Sequence, residues 1–356
     1  MPISVIPYSR QSINEDDIAA VTSVLRSDYI TRGPVTRQLE EALCQLTGKK
    51  YCVVVSNGTV ALYMAVRQTL GLPQLMTSPL TFSAIANAAL LNGCDVSFCD
   101  VDPDTLCADW KPESVFETEI IYAPMDYSGY PSLDKKHECF TILDACHGIG
   151  NTLASGESGT KYADIAVGSG HAIKQLTGSE LGWLLTDDEA IYNFLRTLRD
   201  NGRKDAKHVT ASLGFHTSEL NTALALSQLK RLSANIARRR ELADKYYYSF
   251  GADFRLILPA YHPGHSWHLY VLQLSEVLTC SRDEFREELK DLGVGSQVHY
   301  PLLYRQPIFQ RSTPSCPVAE HAYERMLSIP MYYGLTDEQQ DHVIESINRT
   351  LDKYSK

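Results

Sequence analysis

No stretch of this chain reaches the roughly 18 consecutive apolar residues that a membrane span needs. The opening residues, Met1-Pro2-Ile3-Ser4-Val5-Ile6-Pro7, carry neither a basic leader nor a long apolar core. The protein is therefore expected to be neither inserted in a membrane nor exported. Low-complexity tracts and internal repeats are missing as well. Positive charge is in deficit, with 33 Lys and Arg against 43 Asp and Glu and a formal charge of -10, so the overall field repels a nucleic-acid backbone. The triple Arg238-Arg239-Arg240 lies within a helical pattern and reads as a solvated face rather than a basic patch. The nine cysteines, from Cys44 to Cys316, are odd in number and offer no pair at zinc-ligand spacing. They read as reduced thiols of a cytosolic protein, and no metal site is expected.

What is present suits a globular enzyme. At 356 residues the chain exceeds what one core usually organises, so a large domain over residues 1–240 and a smaller one over 241–356 are expected. Apolar residues make up 44% and charged ones 21%, which argues against disorder. Ser12 and Glu15 have the spacing of a capping box ahead of an apolar stripe at Ile18, Val21, Val24 and Leu25, and a second stripe at Val35, Leu39, Leu43 and Leu46 runs from Pro34 to Gly48. Short buried-strand candidates follow at 51–55, 75–77, 96–99, 119–123, 140–143, 164–167 and 182–186. Helical patterns at 58–70, 83–91 and 187–198 fall between several of them. This alternation predicts an α/β fold with a mostly parallel central sheet flanked by helices. Leucines from Leu220 to Leu232, with Ile236, predict one long helix running to about Tyr247, with the domain break near Arg240. Strands at 267–272 and 296–299 and helices at 282–292, 319–326 and 337–354 then predict a small α+β domain.

In such a fold the chemistry gathers at the carboxyl ends of the parallel strands. Ser56-Asn57-Gly58-Thr59 joins a strand to a helix, where backbone N–H groups and the Thr59 hydroxyl would meet an anion; taken alone, an Asn-Gly turn that merely caps the helix is the commoner reading. Phe82, after the next strand, could lie on an aromatic ring or belong to the core. Asp144 ends a strand and could keep a pyridine nitrogen protonated, or could cap the following turn. His147 could hydrogen-bond a phenolic oxygen or be structural. Ser169 and Lys174 follow the next strand. Read singly, each residue has an ordinary explanation. In this order, a strand-end acid followed by a hydroxyl and a lysine is how a pyridoxal phosphate (PLP) enzyme holds its cofactor, with Lys174 forming the Schiff base and then moving the α-proton.

These segments resemble the PLP-dependent nucleotide-sugar aminotransferases, the DegT/DnrJ/StrS group of the aspartate-aminotransferase-like fold (fold type I). The likeness runs from Thr31-Arg32-Gly33-Pro34 and Leu39-Glu40 through Ser56 to Thr59, Asp100-Val101-Asp102, Asp144 to His147, Ser169 to Lys174, Glu180-Leu181-Gly182 and Arg199-Asp200-Asn201-Gly202 to His299-Tyr300-Pro301. The resemblance implies that Lys174 is the Schiff-base lysine, that Asp144 pairs with the pyridine nitrogen and that His147 lies near the phenolic oxygen. It also implies that Phe82 stacks on the ring, that Gly58, Thr59 and Ser169 hold the phosphate, and that Thr31, His299 and Tyr300 face the substrate. Met125 to Gly129, His171 to Lys174 and Ala223 to Leu229 are most similar to UDP-sugar C4 aminotransferases of pseudaminic acid synthesis. A cytosolic homodimer with shared sites, L-glutamate as donor and a UDP-linked 4-keto-6-deoxy sugar as acceptor is the implied enzyme.

Three positions depart from the family pattern. Gly214-Phe215-His216 stands where Asn-x-Arg is usual, Leu181 replaces the first glycine of Glu-Gly-Gly, and Gly170 replaces an aromatic residue. The first bears on a cross-subunit phosphate contact, the other two on packing under the cofactor. A 3-keto-sugar aminotransferase and a non-catalytic binding or regulatory homologue remain as alternatives. A sugar dehydratase of the family would carry histidine in place of Lys174. A cysteine desulfurase would need a mobile cysteine, for which only Cys316 is placed.

Overall fold

Strands and helices alternate through the first half of the chain. In the computed structural model, which describes residues 5–69, 71–111, 119–310 and 315–355, they build one sheet covered on both faces. Strands β1 (Tyr51–Val55), β2 (Gln74–Thr77), β3 (Asp95–Phe98), β4 (Ile120–Tyr122), β5 (Phe140–Asp144), β6 (Ile165–Ser169) and β7 (Gly182–Thr186) form a seven-stranded sheet in the order β1-β7-β6-β5-β4-β2-β3. β7 runs antiparallel to β1 and β6, and the other pairs are parallel. This is the mostly parallel sheet that the alternation predicts. Side chains leave each strand on alternate faces. Val53 and Val55 accordingly pack with α3 (Gly58–Gln68) and α4 (Ala84–Leu91), while Cys52 and Val54 pack with Leu39 and Leu43 of α2 (Pro34–Thr47). Two covered faces explain why these strands read as unbroken apolar runs. The helix predicted over 58–70 ends at Gln68, and Leu70 lies outside the described residues.

The first helix, α1 (Glu15–Leu25), is capped two residues later than the Ser12 pattern predicts. Asn14 accepts from Asp17 N–H and the Asp17 carboxylate accepts from Asn14 N–H. Asp17 also takes a 2.6 Å ion pair from Arg231, and Arg231 and Gln228 donate to the Ser12 carbonyl. One carboxylate thus closes the cap and anchors the helix, which Glu15 could not do from the exposed face. The same arginine explains a second difference. The long helix predicted from Leu220 to Tyr247 is two helices, α6 (Glu219–Leu229) and α7 (Leu232–Phe250), with Arg231 in the break and turned toward Asp17. No proline or glycine marks that break in the sequence.

After β7 come α5 (Glu189–Arg199) and a short hairpin of β8 (Arg203–Lys204) and β9 (Lys207–His208), and the second core forms around the antiparallel sheet β10 (Leu256–Ile257), β11 (Tyr270–Leu274) and β12 (Met326–Ile329), under α8 (Arg282–Asp291) and α10 (Asp337–Tyr354). α7 reaches both cores: Leu232 and Ile236 pack below the large sheet, whereas Leu242, Ala243, Tyr246 and Phe250 join the small one. Residues 296–299 do not form the expected strand; Gln297 makes only an isolated bridge to Ser328. β12 takes its place, starting directly after α9 (Pro317–Arg325), where the helical pattern runs on to Met326. A short apolar run buried on both faces has no periodicity to separate strand from helix.

The arginine triple is not a solvated face. Arg239 is 1% exposed, and its guanidinium donates to Asn235 Oδ1 and to the carbonyls of Trp267, His268 and Met331. Arg238 pairs with Glu241 and Asp337, and Arg240 donates to the Pro263 carbonyl. Arg239 and Arg240 tie α7 to the segment entering β11, and Arg238 ties it to the start of α10.

Candidate active site

The carboxyl ends of β1, β5 and β6 open onto a cavity of about 500 Å³. Its wall includes Gly58, Thr59, Phe82, Asp144, His147, Ser169, Lys174, His299 and Tyr300, so nine of the residues singled out from the sequence lie around one space. Thr31 is not among them. It is exposed in the connection between α1 and α2, bridged to Ser218.

Each wall has a local cause. Asn57 caps α3 by accepting from Val60 N–H at 2.8 Å, which leaves the helix amino end at Gly58 and Thr59 turned to the cavity. A Cβ on Gly58 would stand 3.1 Å from the Ser169 side chain and 3.3 Å from Cys146 Sγ, so a side chain there would press on both. Gly182 serves the same turn from behind: its Cβ would fall 2.3 Å from the Asn57 backbone and 2.7 Å from Gly58 N. We expect Gly182→Ala to cost about 1–3 kcal/mol of stability, as overpacking against rigid backbone does. It should also weaken PLP retention, because the turn at Gly58 must move. Denaturant unfolding and a PLP dissociation titration check the two effects.

Two of the family departures prove to be one compensated pair. Leu181 is fully buried, and a Cβ on Gly170 would lie 3.1 Å from Leu181 Cβ; the two backbones are joined by a 2.8 Å bond from Gly170 N–H to the Leu181 carbonyl. The leucine fills the space that a larger residue at 170 would take. At the third departure, Phe215 is in the core and its carbonyl accepts from Ser56 N–H, while His216 faces Asp200 at 3.4 Å. His216, Arg199 and Arg32 line a different groove, of about 680 Å³, away from Lys174.

Asp144 is buried, with its backbone held on both sides by Pro124 and Asp126 and its Oδ1 accepting from Cys146 N–H at 3.1 Å. Burial raises its pKa above the usual carboxylate range, and Lys174 acts in the opposite sense. Burial lowers the Lys174 amine to about 8, against the pull of Cys146 and Asp144. His147 is fully buried and kept neutral by burial and by Lys174; its Nε2 faces the Tyr300 hydroxyl at 2.9 Å and its Nδ1 has no partner. His299 is lowered to about 4 by burial and by Lys174, its Nδ1 lies 2.8 Å from Ser328 Oγ, and its carbonyl accepts from the Tyr127 hydroxyl. Phe82 is 52% exposed at the rim, its ring 5.7 Å from that of Tyr300.

Sequence reasoning missed Tyr8, Cys146 and His268. Tyr8 reaches the cavity because Ser9 Oγ donates to the Ile173 carbonyl and Tyr8 O accepts from Met331 N–H. No local pattern announces it. Cys146 sits inside the Asp144-to-His147 segment and was legible by position. His268 stands 3.4 Å from Lys174 Nζ, though far from it in sequence.

These residues fit pyridoxal phosphate. A helix amino end with two hydroxyls suits its phosphate, a buried carboxylate suits its ring nitrogen, and a desolvated amine suits its aldehyde. Placed at the carboxyl edge of a mostly parallel sheet, that set defines a PLP enzyme of fold type I. The model of the DegT/DnrJ/EryC1/StrS aminotransferase family matches residues 11–348, and the chain belongs to that family of PLP-dependent sugar aminotransferases. Among solved structures it is similar to Helicobacter pylori PseC, an aminotransferase involved in the biosynthesis of pseudoaminic acid. The two are 26% identical over 99% of this chain and 100% of that one, with a TM-score of 0.91. It is also similar to a putative sugar aminotransferase from Streptococcus pneumoniae, Spr1654, in its PMP-form, at 25% identity over 98% of each chain and a TM-score of 0.89. Sugar aminotransferase CalS13 from Micromonospora echinospora shares the fold, at 24% identity over 97% of this chain and 99% of that one and a TM-score of 0.88.

Proposed function

We propose that this aminotransferase moves the amino group of L-glutamate to the C4 ketone of a UDP-linked 4-keto-6-deoxy sugar, as a step toward a bacterial surface glycan or a pseudaminic-type acid. The observation that carries the reading is the meeting of the Lys174 amine, the Asp144 carboxylate and the amino end of α3 in one cavity. When bound, PLP supplies an electron sink for the negative charge left on carbon when a proton is removed. Gly58, Thr59 and Ser169 hold its phosphate, and Lys174 holds its aldehyde carbon. Asp144 stands as the fixed counter-charge to the ring nitrogen. With its amine lowered to about 8, Lys174 keeps a usable neutral fraction near neutral pH and so can accept the donor's α-proton at Nζ. The Tyr300 contact fixes the His147 ring, which would be the hydrogen-bond partner of the cofactor's phenolic oxygen, and the exposed face of Phe82 would cover the cofactor ring.

His299 and Tyr300 are proposed to meet the substrate from the small-sheet side. Among the described lining residues, Lys174 and three histidines are the basic groups, with no arginine for a nucleotide diphosphate or a donor carboxylate. The separate groove is lined by Arg32, Arg37, Lys50, Arg196 and Arg199. This division supports a homodimer in which one subunit's arginines, and Thr31 beside them, complete the other's cavity. The likeness to PseC, an aminotransferase involved in pseudoaminic acid biosynthesis, supports a pseudaminic-type product.

The visible absorbance of the purified protein with added PLP tests the reading. A band that changes on addition of L-glutamate is expected, followed by amination of UDP-4-keto-6-deoxy sugars in preference to 3-keto ones. A band that ignores glutamate favours a binding homologue, and preference for the 3-keto sugar moves the reaction to C3.

A further inference from the structure

His268 lies just before β11 and is 1% exposed. Its Nε2 is 3.4 Å from Lys174 Nζ, and its ring centroid is 4.3 Å from that of His147. The backbones that carry the amine and the imidazole are locked to one helix. Asn235 of α7 donates to the Gln175 carbonyl, next to Lys174, at 2.8 Å, and its Oδ1 accepts from Arg239 Nε at 2.8 Å. Arg239 in turn donates to the carbonyls of Trp267 and His268 at 3.0 and 3.2 Å. Trp267 is held there at a φ of 49°, a region a tryptophan enters only when its surroundings require it. A buried arginine spent on two adjacent carbonyls fixes where the imidazole stands.

The hydrogen bonding decides what the imidazole offers. A neutral imidazole carries one N–H and one lone pair. His268 Nδ1 is buried without a partner. A buried N–H without an acceptor is the rarer and costlier defect, so the proton belongs on Nε2, and Nδ1 keeps the lone pair. We propose that His268 is a positioning residue for Lys174, donating its Nε2–H to the Nζ lone pair and so holding the free amine neutral and aimed into the cavity. An ammonium at Nζ would require an acceptor at Nε2 and would drive the imidazole proton onto the unpartnered Nδ1. The groups around the pair are Asp144 and Cys146 from the end of β5, His147 after them, His299 and Tyr300 from the segment before Leu303, and Arg239 from α7. Asp144 and Cys146 favour the ammonium, while burial opposes it. His268 itself stays neutral, because burial, then Lys174, His147, Arg239 and His299 all disfavour its charged form.

The inference rests on Lys174 being the reacting amine, but its test needs no turnover. The full chain is freed of cofactor and trace-labelled with acetic anhydride across pH, and the Lys174 peptide is quantified against Lys353, which pairs with Glu288 on the surface. The wild-type midpoint is expected near 8. His268→Asn and His268→Gln present an amide oxygen that accepts from the ammonium freely, so their midpoints should rise by about one unit, a tenfold smaller neutral fraction at lower pH. A purely structural histidine would change the unfolding temperature and leave the midpoint in place. An unchanged midpoint in either folded variant overturns the proposal. So does a nitrogen-15 spectrum of the wild type, independent of variant folding, in which the buried imidazole facing Lys174 carries its proton on Nδ1. A normal midpoint shift in a protein inert to glutamate would leave this inference standing and sink the functional reading instead.

Discussion

Lys174→Ala is expected to lower amination by about 10⁴-fold or more, because one side chain is asked both to hold the cofactor and to carry the proton. The change removes a desolvated amine from among Asp144, Cys146, His147 and His268 without touching the contacts at Gly58, Thr59 and Ser169. PLP should therefore still bind, more weakly and without its covalent link, and should be lost on dialysis where the wild type keeps it. Burial is the larger cause that keeps His147 and His299 neutral and Lys174 the smaller one, so in the variant both should titrate only somewhat closer to the ordinary histidine range. A small primary amine added to the assay should restore part of the activity by serving as the missing base. Turnover within tenfold of the wild type would mean that another group moves the proton.

The parts of this site legible in the sequence are those delivered by a strand and the few residues after it. Asp144 closes β5, Ser169 closes β6 with Lys174 in the next turn, and Gly58 and Thr59 follow β1. β5 and β6 are parallel neighbours and β1 runs in the same direction beyond β7, so the three ends lie along one edge of the sheet, and a strand pattern and a residue type suffice to place them. His268 and Tyr8 could not be placed this way, because their positions depend on β11 and the N-terminal arm docking against the loop of Lys174. Arg239 was misread for a related reason. A run of three arginines looks solvated when charge alone is counted, and only the carbonyls gathered around it make burial tolerable. The break between α6 and α7 is also a tertiary effect, since the turn at Arg231 is held by an ion pair to a helix more than two hundred residues earlier. By contrast, the pairing of Gly170 with Leu181 could be suspected, because both depart from the family pattern and one follows β6 where the other precedes β7.

Asp144→Asn should separate holding the cofactor from using it. Asparagine has the same shape, its amide oxygen can accept the 3.1 Å bond from Cys146 N–H, and the backbone clamps from Pro124 and Asp126 do not involve the side chain. The fold and the phosphate seat should survive, and PLP content should stay near that of the wild type. What is lost is the negative charge at the end of β5, in a place where burial disfavours it and the hydrogen bonds from Cys146 and a cation opposite stabilise it. A neutral amide cannot hold a proton on a ring nitrogen facing it, so the electron sink weakens. We expect amination to fall by about 10²–10³-fold, the range seen when a preorganised electrostatic partner is removed from a transition state. The loss should fall on kcat rather than on KM for glutamate, since the proposed partner of Asp144 is the cofactor rather than the donor. Asp144→Glu keeps the charge but adds a methylene in a fully buried space, so it should recover only part of the rate and should cost stability. Equal turnover in the asparagine variant and the wild type would show that the carboxylate serves the turn and not the chemistry.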